Sequence, residues 1–239
     1  MLADKYILTS NDWLTDRHVN AANKLLLAQF PSQNGLQDPL LLVNLKKYNS
    51  SRDKFVQVIN VNNQHWICIS NKLCSAGVVE VFDTLPHLSK NSETVYSQVA
   101  TILRSEDKSF TLNHIDVQRQ FGSNDCALFS IAFATNLCFG EDPHQIGYLQ
   151  SSFRPHLLKC LEKKQLAPFP SSGKRRLSRK RLLHTRIVNI YCTCRQPEGN
   201  NMAKCHTCKE WFHRTCVDIK QSIFEDKKAV YNCKLCLGH

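Results

Sequence analysis

The feature that most constrains this chain is a series of cysteine and histidine pairs near its C-terminal end. Seven of its 12 cysteines lie within residues 192–236, and with one histidine they form four pairs separated by ten, four and sixteen residues. Such pairs are typical of tetrahedral zinc sites, and eight ligands suffice for two ions. A segment this short cannot bury enough apolar core to fold alone, so we expect two structural Zn²⁺ ions. The expected ligands are Cys192, Cys194, Cys205, Cys208, His213, Cys216, Cys233 and Cys236.

Positive charge is concentrated just before these pairs. The 239 residues carry a net charge of +11, and residues 168–189 contain seven basic and no acidic side chains. Proline, serine and glycine followed by dense like charge are typical of a solvated segment. We therefore predict a basic flexible linker over 168–189. It would serve as a nuclear-import signal, as an arm that contacts nucleic-acid phosphates nonspecifically, or simply as a soluble spacer.

Residues 1–167 show helical and strand patterns in mixed order, which predicts an α+β domain. A helix that begins at Cys126 is apolar nearly all round and should be buried. No apolar run approaches the roughly 18–20 residues that cross a bilayer, so we expect no membrane partner. The other predicted helices are 19–30 and 94–103, and the predicted strands are 55–61, 65–70, 77–83 and 110–117.

Three side chains in this region indicate thiol chemistry. Cys126 falls in the first turn of the predicted buried helix, where the helix dipole and free N–H groups favour a thiolate. His65 opens one predicted strand and Asp83 closes another, so both lie where side chains can project from a sheet edge. In such a set the histidine takes the thiol proton and later protonates the leaving amine, while the aspartate holds the histidine tautomer. Taken singly, each residue could be structural: a core cysteine, a strand-end histidine and a turn-forming aspartate.

Four short motifs place these residues in a specific context. Together they resemble the ubiquitin-like-protein (SUMO-type) cysteine protease family, which is related to adenoviral protease. The resemblance implies a papain-like cysteine protease domain over 1–167, with a mixed sheet packed with helices. It also implies His65 as general base and acid, Asp83 as orienting carboxylate and Cys126 as nucleophile. The motifs are Trp13-Leu14-Thr15-Asp16, His65-Trp66, Val81-Phe82-Asp83-Thr84 and Gln120-Phe121-Gly122-Ser123-Asn124-Asp125-Cys126.

The same resemblance assigns roles to three further residues. Gln120 would donate to the oxyanion together with the backbone N–H of Cys126. Trp13 and Trp66 would wall a narrow tunnel that admits a Gly-Gly tail and excludes larger side chains. Ala127 departs from the family pattern, which usually has glycine after the nucleophile.

The C-terminal pairs, with the histidine in fifth place and Trp211-Phe212-His213 around it, resemble a PHD finger over 190–239. The cross-braced topology of that family assigns Cys192, Cys194, His213 and Cys216 to one zinc, and Cys205, Cys208, Cys233 and Cys236 to the other.

PHD fingers commonly read histone tails, so the finger has a second expected role. Tyr191, Met202 and Trp211 resemble part of a methyl-lysine cage, which binds by cation–π attraction. Glu198 and His206 depart from that pattern, because an aromatic and an acidic residue are usual there. Alternatively, Tyr191 and Trp211 only pack the small core of the finger.

The two resemblances imply a nuclear isopeptidase or endopeptidase that cleaves after the Gly-Gly terminus of SUMO or another ubiquitin-like protein. Its finger would bind chromatin or another protein. Two other functions remain open. One is an acyltransferase, in which an amine and not water captures the thioester. The other is a catalytically idle interaction protein. The combination also fits either a host regulator or a protein encoded by a mobile element.

Overall fold

The computed structural model describes residues 2–42, 49–50, 53–103, 106–175, 181–217 and 230–237. The α-helices in these ranges are α1 (Leu2–Thr9), α2 (Asp16–Gln29), α3 (Glu93–Leu103), α4 (Cys126–Cys138), α5 (Phe153–Lys163), α6 (Arg214–Val217) and α7 (Lys234–Leu237). The strands are β1 (Asn34–Gly35), β2 (Phe55–Val61), β3 (His65–Ser70), β4 (Val78–Phe82), β5 (Ser109–Ile115), β6 (Ile146–Tyr148), β7 (Ser171–Lys174), β8 (Leu182–Asn189), β9 (Met202–Lys204) and β10 (Trp211–His213). Short 3₁₀ helices span Pro39–Leu42, Pro143–Gln145 and Gln150–Ser152. Within the described ranges, none of the helices combines the length and the apolar character that a membrane span requires.

A six-stranded mixed sheet in the order β1-β2-β3-β4-β5-β8 forms the centre of the larger part. Strands β2, β3 and β4 pair antiparallel, β4 and β5 run parallel, and β8 lies antiparallel to β5. The turn between β2 and β3 places Asn62 and Asn63 at φ of 53° and 57°, in the left-handed region that asparagine tolerates better than most residues. The mixed sheet and its helices confirm the predicted α+β class.

Apolar side chains alternate between the two faces of this sheet, as the pleat of a strand requires. On β3, Trp66 and Cys68 join one buried cluster and Ile67 and Ile69 join another. Helix α4 belongs to the first cluster, and every one of its residues is buried. Helix α3 belongs to the second. Because both faces are covered, the ends of β3 and β4 are held between two packed layers.

Part of the segment predicted as a flexible linker is β-strand. Strand β7 pairs with β6, and β8 forms an edge of the central sheet. The prediction of a flexible linker is therefore wrong for Ser171–Lys174 and Leu182–Asn189. Strand β8 is rich in apolar and β-branched residues, which favour a half-buried strand, and its Val188 is 5% exposed opposite Phe110. The neighbouring charge obscured that pattern. Residues 176–180, in the middle of the basic cluster, lie outside the described residues.

The C-terminal part consists of the two-stranded sheet β9-β10 with the short helices α6 and α7. Among its described residues, the buried hydrophobic cluster contains Cys205, Phe212 and Cys233. Hydrophobic burial on this scale contributes little stability, so folding of this part must depend on other interactions, such as metal coordination.

The chain passes directly from β8 into this finger, and several contacts attach the two parts. The Ile190 backbone N–H donates to the Lys108 carbonyl at 2.8 Å. Gln196 Nε2 donates to Thr101 Oγ1 at 3.0 Å. Lys108 Nζ also lies 2.7 Å from Glu210 Oε1, but both side chains are largely exposed, so this ion pair adds little energy. Together these contacts place the finger against the last turn of α3 and against Lys108, which follows that helix.

Candidate active site and metal clusters

His65 and Asp83 come together because β3 and β4 are antiparallel neighbours, and the start of one lies beside the end of the other. His65 Nε2 is 2.6 Å from Asp83 Oδ1, and each residue is 2% exposed. The carboxylate accepts two further hydrogen bonds, from the Leu85 backbone N–H at 2.7 Å and from the Ser89 hydroxyl. Three donors therefore hold this carboxylate in one orientation.

The side chain of Cys126 also acts on His65 and favours its charged form. Because Nε2 is engaged by Asp83, Nδ1 is the ring nitrogen available to the thiol. Burial of His65 opposes the charged imidazolium, but the interactions with Asp83 and Cys126 outweigh it and raise the pKa of His65 to about 9. The imidazole therefore carries a proton at neutral pH.

Cys126 is the first residue of α4, as the sequence predicted, and it is 2% exposed. The N-terminal end of a helix has free backbone N–H groups and a positive partial charge, both of which favour an anionic sulfur. The structure thus brings the three candidate triad residues into one buried group, in which His65 is hydrogen-bonded to Asp83 and is influenced by Cys126.

Gln120 is 7% exposed and is anchored at both ends of its amide. Its Oε1 accepts a hydrogen bond of 2.6 Å from Thr84 Oγ1, and its Nε2 donates one of 2.9 Å to the Gly122 carbonyl. A carboxamide nitrogen carries two hydrogens, so the second amide hydrogen of Gln120 remains for another acceptor.

Trp13 and Trp66 line the same cavity, whose volume is about 250 Å³. Trp66 is 6% exposed and belongs to the core, whereas Trp13 is 45% exposed and forms an outer wall. The two tryptophans that the sequence singled out are therefore brought together in one cavity, whose lining includes Gln64 and Trp66, the chain neighbours of His65. The other lining residues are Leu14, Thr15, Asp16, Pro39, Leu40, Asn60, Asn63 and Gln64.

Residues to which the sequence assigned no role connect this cavity to the segment before Cys126. Trp13 Nε1 donates to Asn124 Oδ1 at 2.8 Å, and Asn124 Nδ2 donates to the Asn11 carbonyl at 2.6 Å. Arg154 of α5 forms an ion pair of 2.8 Å with Asp125 and donates to the Asp12 carbonyl at 2.8 Å. Asn124 and Asp125 lie within a recognised motif, but Arg154 lies 29 positions after Asp125, and no local pattern marks it.

The eight candidate metal ligands fall into two groups, with the membership that the interleaved topology implies. In each group the ligand atoms lie within 4.8 Å of one another. Three thiolates with an imidazole, and four thiolates, are both donor sets typical of tetrahedral zinc. These residues fit zinc, and the clusters indicate a zinc-binding finger. One group is Cys192, Cys194, His213 and Cys216, and the other is Cys205, Cys208, Cys233 and Cys236.

Hydrogen bonds around these clusters orient the ligand atoms. His213 Nε2 lies 2.9 Å from the Pro197 carbonyl, which leaves Nδ1 to face the cluster, 3.3 Å from Cys194 Sγ. A backbone carbonyl that fixes the tautomer in this way is the usual outer partner of a metal-ligating histidine. In the other group, the Cys233 backbone N–H donates to Cys205 Sγ at 3.4 Å.

The residues of the predicted methyl-lysine cage are partly brought together. In the β9-β10 pair, Trp211 lies opposite Lys204 and His213 lies opposite Met202, so Trp211 and Met202 share one face. Trp211 is 41% exposed, and Lys204 Nζ lies 5.6 Å from the centre of its ring. Tyr191 lies on a neighbouring segment, in a β-bridge with Gln196.

Comparison with known proteins agrees with both parts of this description. Residues 192–236 match the PHD-finger family model. The Set1 complex component spp1 of Schizosaccharomyces pombe is 42% identical over 48 residues, and human lysine-specific demethylase 7A is 41% identical over 49 residues. Each match covers 20% of this chain, and the chain spans 11% and 5% of the length of those two proteins.

Solved structures resemble the larger part. The C-terminal Ulp1 protease domain in complex with Smt3, the yeast orthologue of SUMO, superposes with a TM-score of 0.56 at 17% identity, over 68% of this chain and 82% of that chain. SUMO protease Ulp1 with its catalytic cysteine oxidised to a sulfenic acid superposes with a TM-score of 0.55 at 16% identity, over 67% of this chain and 82% of that chain. Over about two thirds of its length the chain therefore has the fold of a SUMO protease. It ends in a PHD finger.

Proposed function

We propose that this chain is a cysteine peptidase that hydrolyses the bond after the Gly-Gly terminus of SUMO or another ubiquitin-like protein. The observation that carries this proposal is the buried Cys126–His65–Asp83 group, and the chain neighbours of His65, Gln64 and Trp66, line a cavity whose outer wall is Trp13. The fold shared with Ulp1 supports it, because the fold provides the same kind of scaffold.

The first half of the reaction forms a thioester. His65 holds the thiol proton of Cys126 as an imidazolium, and the sulfur attacks the carbonyl carbon of the terminal glycine, forming a C–S bond. The imidazolium, stabilised by Asp83, then donates the proton to the leaving amine as the C–N bond breaks. The raised pKa of His65 fits this step, because it keeps the proton available for the amine at neutral pH.

Negative charge develops on the carbonyl oxygen during this attack. The backbone N–H of Cys126 and the second amide hydrogen of Gln120 would donate hydrogen bonds to this oxygen and stabilise its charge. In the second half, water attacks the thioester, neutral His65 takes a proton from that water, and the thiolate leaves and is reprotonated. The products are the free Gly-Gly carboxylate and the regenerated cysteine.

The cavity supports selectivity for glycine at the reaction centre. Trp13 and Trp66 are broad, flat side chains, and Trp13 is held in place by Asn124. A tail of two glycines has no Cβ to meet their faces. A larger side chain at either position would have to displace an indole, so tails that lack the Gly-Gly end should react poorly.

For the finger, we propose two structural Zn²⁺ ions, one in each cluster, and binding of histone tails in the nucleus. The donor sets and the outer hydrogen bond of His213 support the metal assignment. The exposed Trp211 supports recognition of a methylated lysine. The relatives that match the finger include a Set1 complex component and a lysine demethylase, which supports a nuclear location.

A panel of ubiquitin-like proteins bearing a C-terminal electrophile tests the peptidase proposal. We expect one or more members to add their mass to Cys126, and Cys126→Ala to abolish the adduct. Cys160 is the matched control, because its Sγ lies 3.4 Å from His156 Nε2 and it is therefore a second thiol–imidazole pair outside the cavity. Cys160→Ala should leave labelling intact.

Other outcomes would favour the alternatives. An unreactive Cys126 would contradict the proposal and indicate an interaction protein. Labelling at Cys160 would mean that simple thiol reactivity, and not the cavity, directs the reaction. Transfer from an acyl-CoA to an amine without peptide cleavage would identify an acyltransferase.

A further inference from the structure

The amide of Gln120 is held by one side chain and one backbone group. Thr84 Oγ1 lies 2.6 Å from Gln120 Oε1, and Gln120 Nε2 lies 2.9 Å from the Gly122 carbonyl oxygen. Thr84 is 2% exposed. A neutral hydrogen bond in such a place is exchanged little with water, so it can act as a fixed anchor.

These two anchors determine the direction of the amide. A carbonyl oxygen can only accept, so the group that faces Gly122 must be the NH₂, and the hydroxyl of Thr84 must therefore donate to Oε1. If the amide rotated by half a turn, its oxygen would meet the Gly122 oxygen and both would lose a donor. Because a carboxamide is planar, fixing Oε1 and one N–H also fixes the direction of the second N–H.

We infer that Thr84 is a positioning residue for the oxyanion donor Gln120, an inference that rests on the proposed peptidase function. Thr84 directly follows Asp83, which accepts from His65, Leu85 and Ser89. One turn after β4 therefore orients both the carboxylate behind the base and the amide that meets the oxyanion.

The expected kinetic signature follows from this role. Thr84→Val keeps the shape of the side chain but removes the donor, so Oε1 loses its partner in a buried site and the amide can rotate. The oxyanion exists only in the transition state, hence kcat falls while KM stays unchanged. Misplacing a catalytic donor costs up to about 100-fold, whereas deleting one costs about 100–1000-fold.

The test compares Thr84→Val, Thr84→Ser, Gln120→Ala and the Thr84→Val/Gln120→Ala double variant on SUMO carrying a C-terminal coumarin amide. We expect kcat of Thr84→Val to fall by about 10–100-fold, Thr84→Ser to recover most of it, and the double variant to match Gln120→Ala. Thr185→Val is the matched control, because the Thr185 hydroxyl also donates to a side-chain amide oxygen, that of Asn113 at 2.9 Å, but at an exposed site.

Normal kcat in Thr84→Val, equal loss in Thr84→Ser, or additive losses in the double variant would overturn the inference. A second readout does not depend on turnover: the Nε2 protons of Gln120, assigned by their absence in Gln120→Ala, should have dispersed NMR shifts that collapse in Thr84→Val. Unchanged shifts would overturn the positioning role even if no substrate is cleaved. Collapsed shifts in a protein that cleaves no modifier would support the positioning and contradict the peptidase.

Discussion

Trp13 Nε1 and Asn124 Oδ1 form a hydrogen bond of 2.8 Å across 111 positions of sequence. Asn124 stands two residues before Cys126 and Trp13 forms the outer wall of the cavity, so this bond couples the position of that wall to the nucleophile loop. Arg154 reinforces the coupling, because it binds both Asp12 and Asp125.

This bond makes a specific prediction about substrate capture. Asn124→Ala and Trp13→Phe each remove one partner and should each raise KM by about 2–10-fold, the range expected for one hydrogen bond of about 0.5–1.5 kcal/mol. The double variant should lose less than the product of the two single losses, since the bond between Trp13 and Asn124 is counted in both. Steady-state kinetics on a reactive modifier measures this. If the increase in KM of the double variant equals the product of the two single increases, the two residues act independently.

The candidate triad predicts a graded loss of activity. Cys126→Ala and His65→Ala should abolish cleavage, and Asp83→Asn should lower kcat by up to about 10,000-fold because it disturbs the histidine without removing it. Asp142→Asn is the control, since Asp142 forms an ion pair with Arg181 away from the cavity. Turnover by Cys126→Ala would exclude the mechanism.

The pKa of His65 predicts how stability depends on pH. Its value in the folded protein, about 9, lies above the ordinary value of 6.5. The stability from this group is therefore fully present below about pH 6.5 and is lost as pH rises to about 9. Denaturant unfolding at several pH values measures this slope. In Asp83→Asn the loss should be smaller and should end at lower pH, because burial then opposes the imidazolium with one partner fewer and the folded-state pKa is lower. If Asp83→Asn leaves the pH dependence of the free energy of unfolding unchanged, that dependence does not come from the His65–Asp83 pair.

Metal analysis should find two zinc ions per chain. A chelator should release both and unfold the finger, because its small buried cluster cannot hold it together. Amide hydrogens of α4 and β2–β5 should stay protected, since their core lies elsewhere. One zinc per chain, or loss of protection in α4, would contradict this prediction.

The contact between Lys204 and Trp211 predicts competition at the finger. A methylated lysine that stacks on Trp211 must displace the Lys204 ammonium, so Lys204→Gln should tighten binding about 2–5-fold and Trp211→Ala should abolish the preference for methylation. We expect affinity for the trimethylated histone tail no better than about 10 µM. Calorimetric titration of the full Cys126→Ala chain measures both effects. Equal binding of methylated and unmethylated peptides would mean that Trp211 is structural.

Much of this arrangement could be predicted from sequence because its signals are local. Metal ligands two or three positions apart share a turn, so the spacing of Cys192 and Cys194, or of Cys205 and Cys208, already indicates a pair. The position of Cys126 at the start of a helix followed from the apolar run behind it. The contacts of Thr84 and Arg154 could not be predicted, because each meets its partner only when separate elements pack. Strand β8 was missed because dense charge beside it dominated the interpretation of the whole segment.

Strand β8 also determines what the finger can do for the rest of the chain. If a flexible linker joined the finger to the protease domain, the active site could take many positions around the point where the finger binds. Here the edge strand of the sheet leads directly to the first candidate zinc ligands, Gln196 contacts the end of α3, and Glu210 contacts Lys108 after that helix. On the proposed function, the fixed attachment of the finger sets the distance and orientation between its binding site and Cys126. It would thereby select which conjugated lysines near the bound finger can reach Cys126.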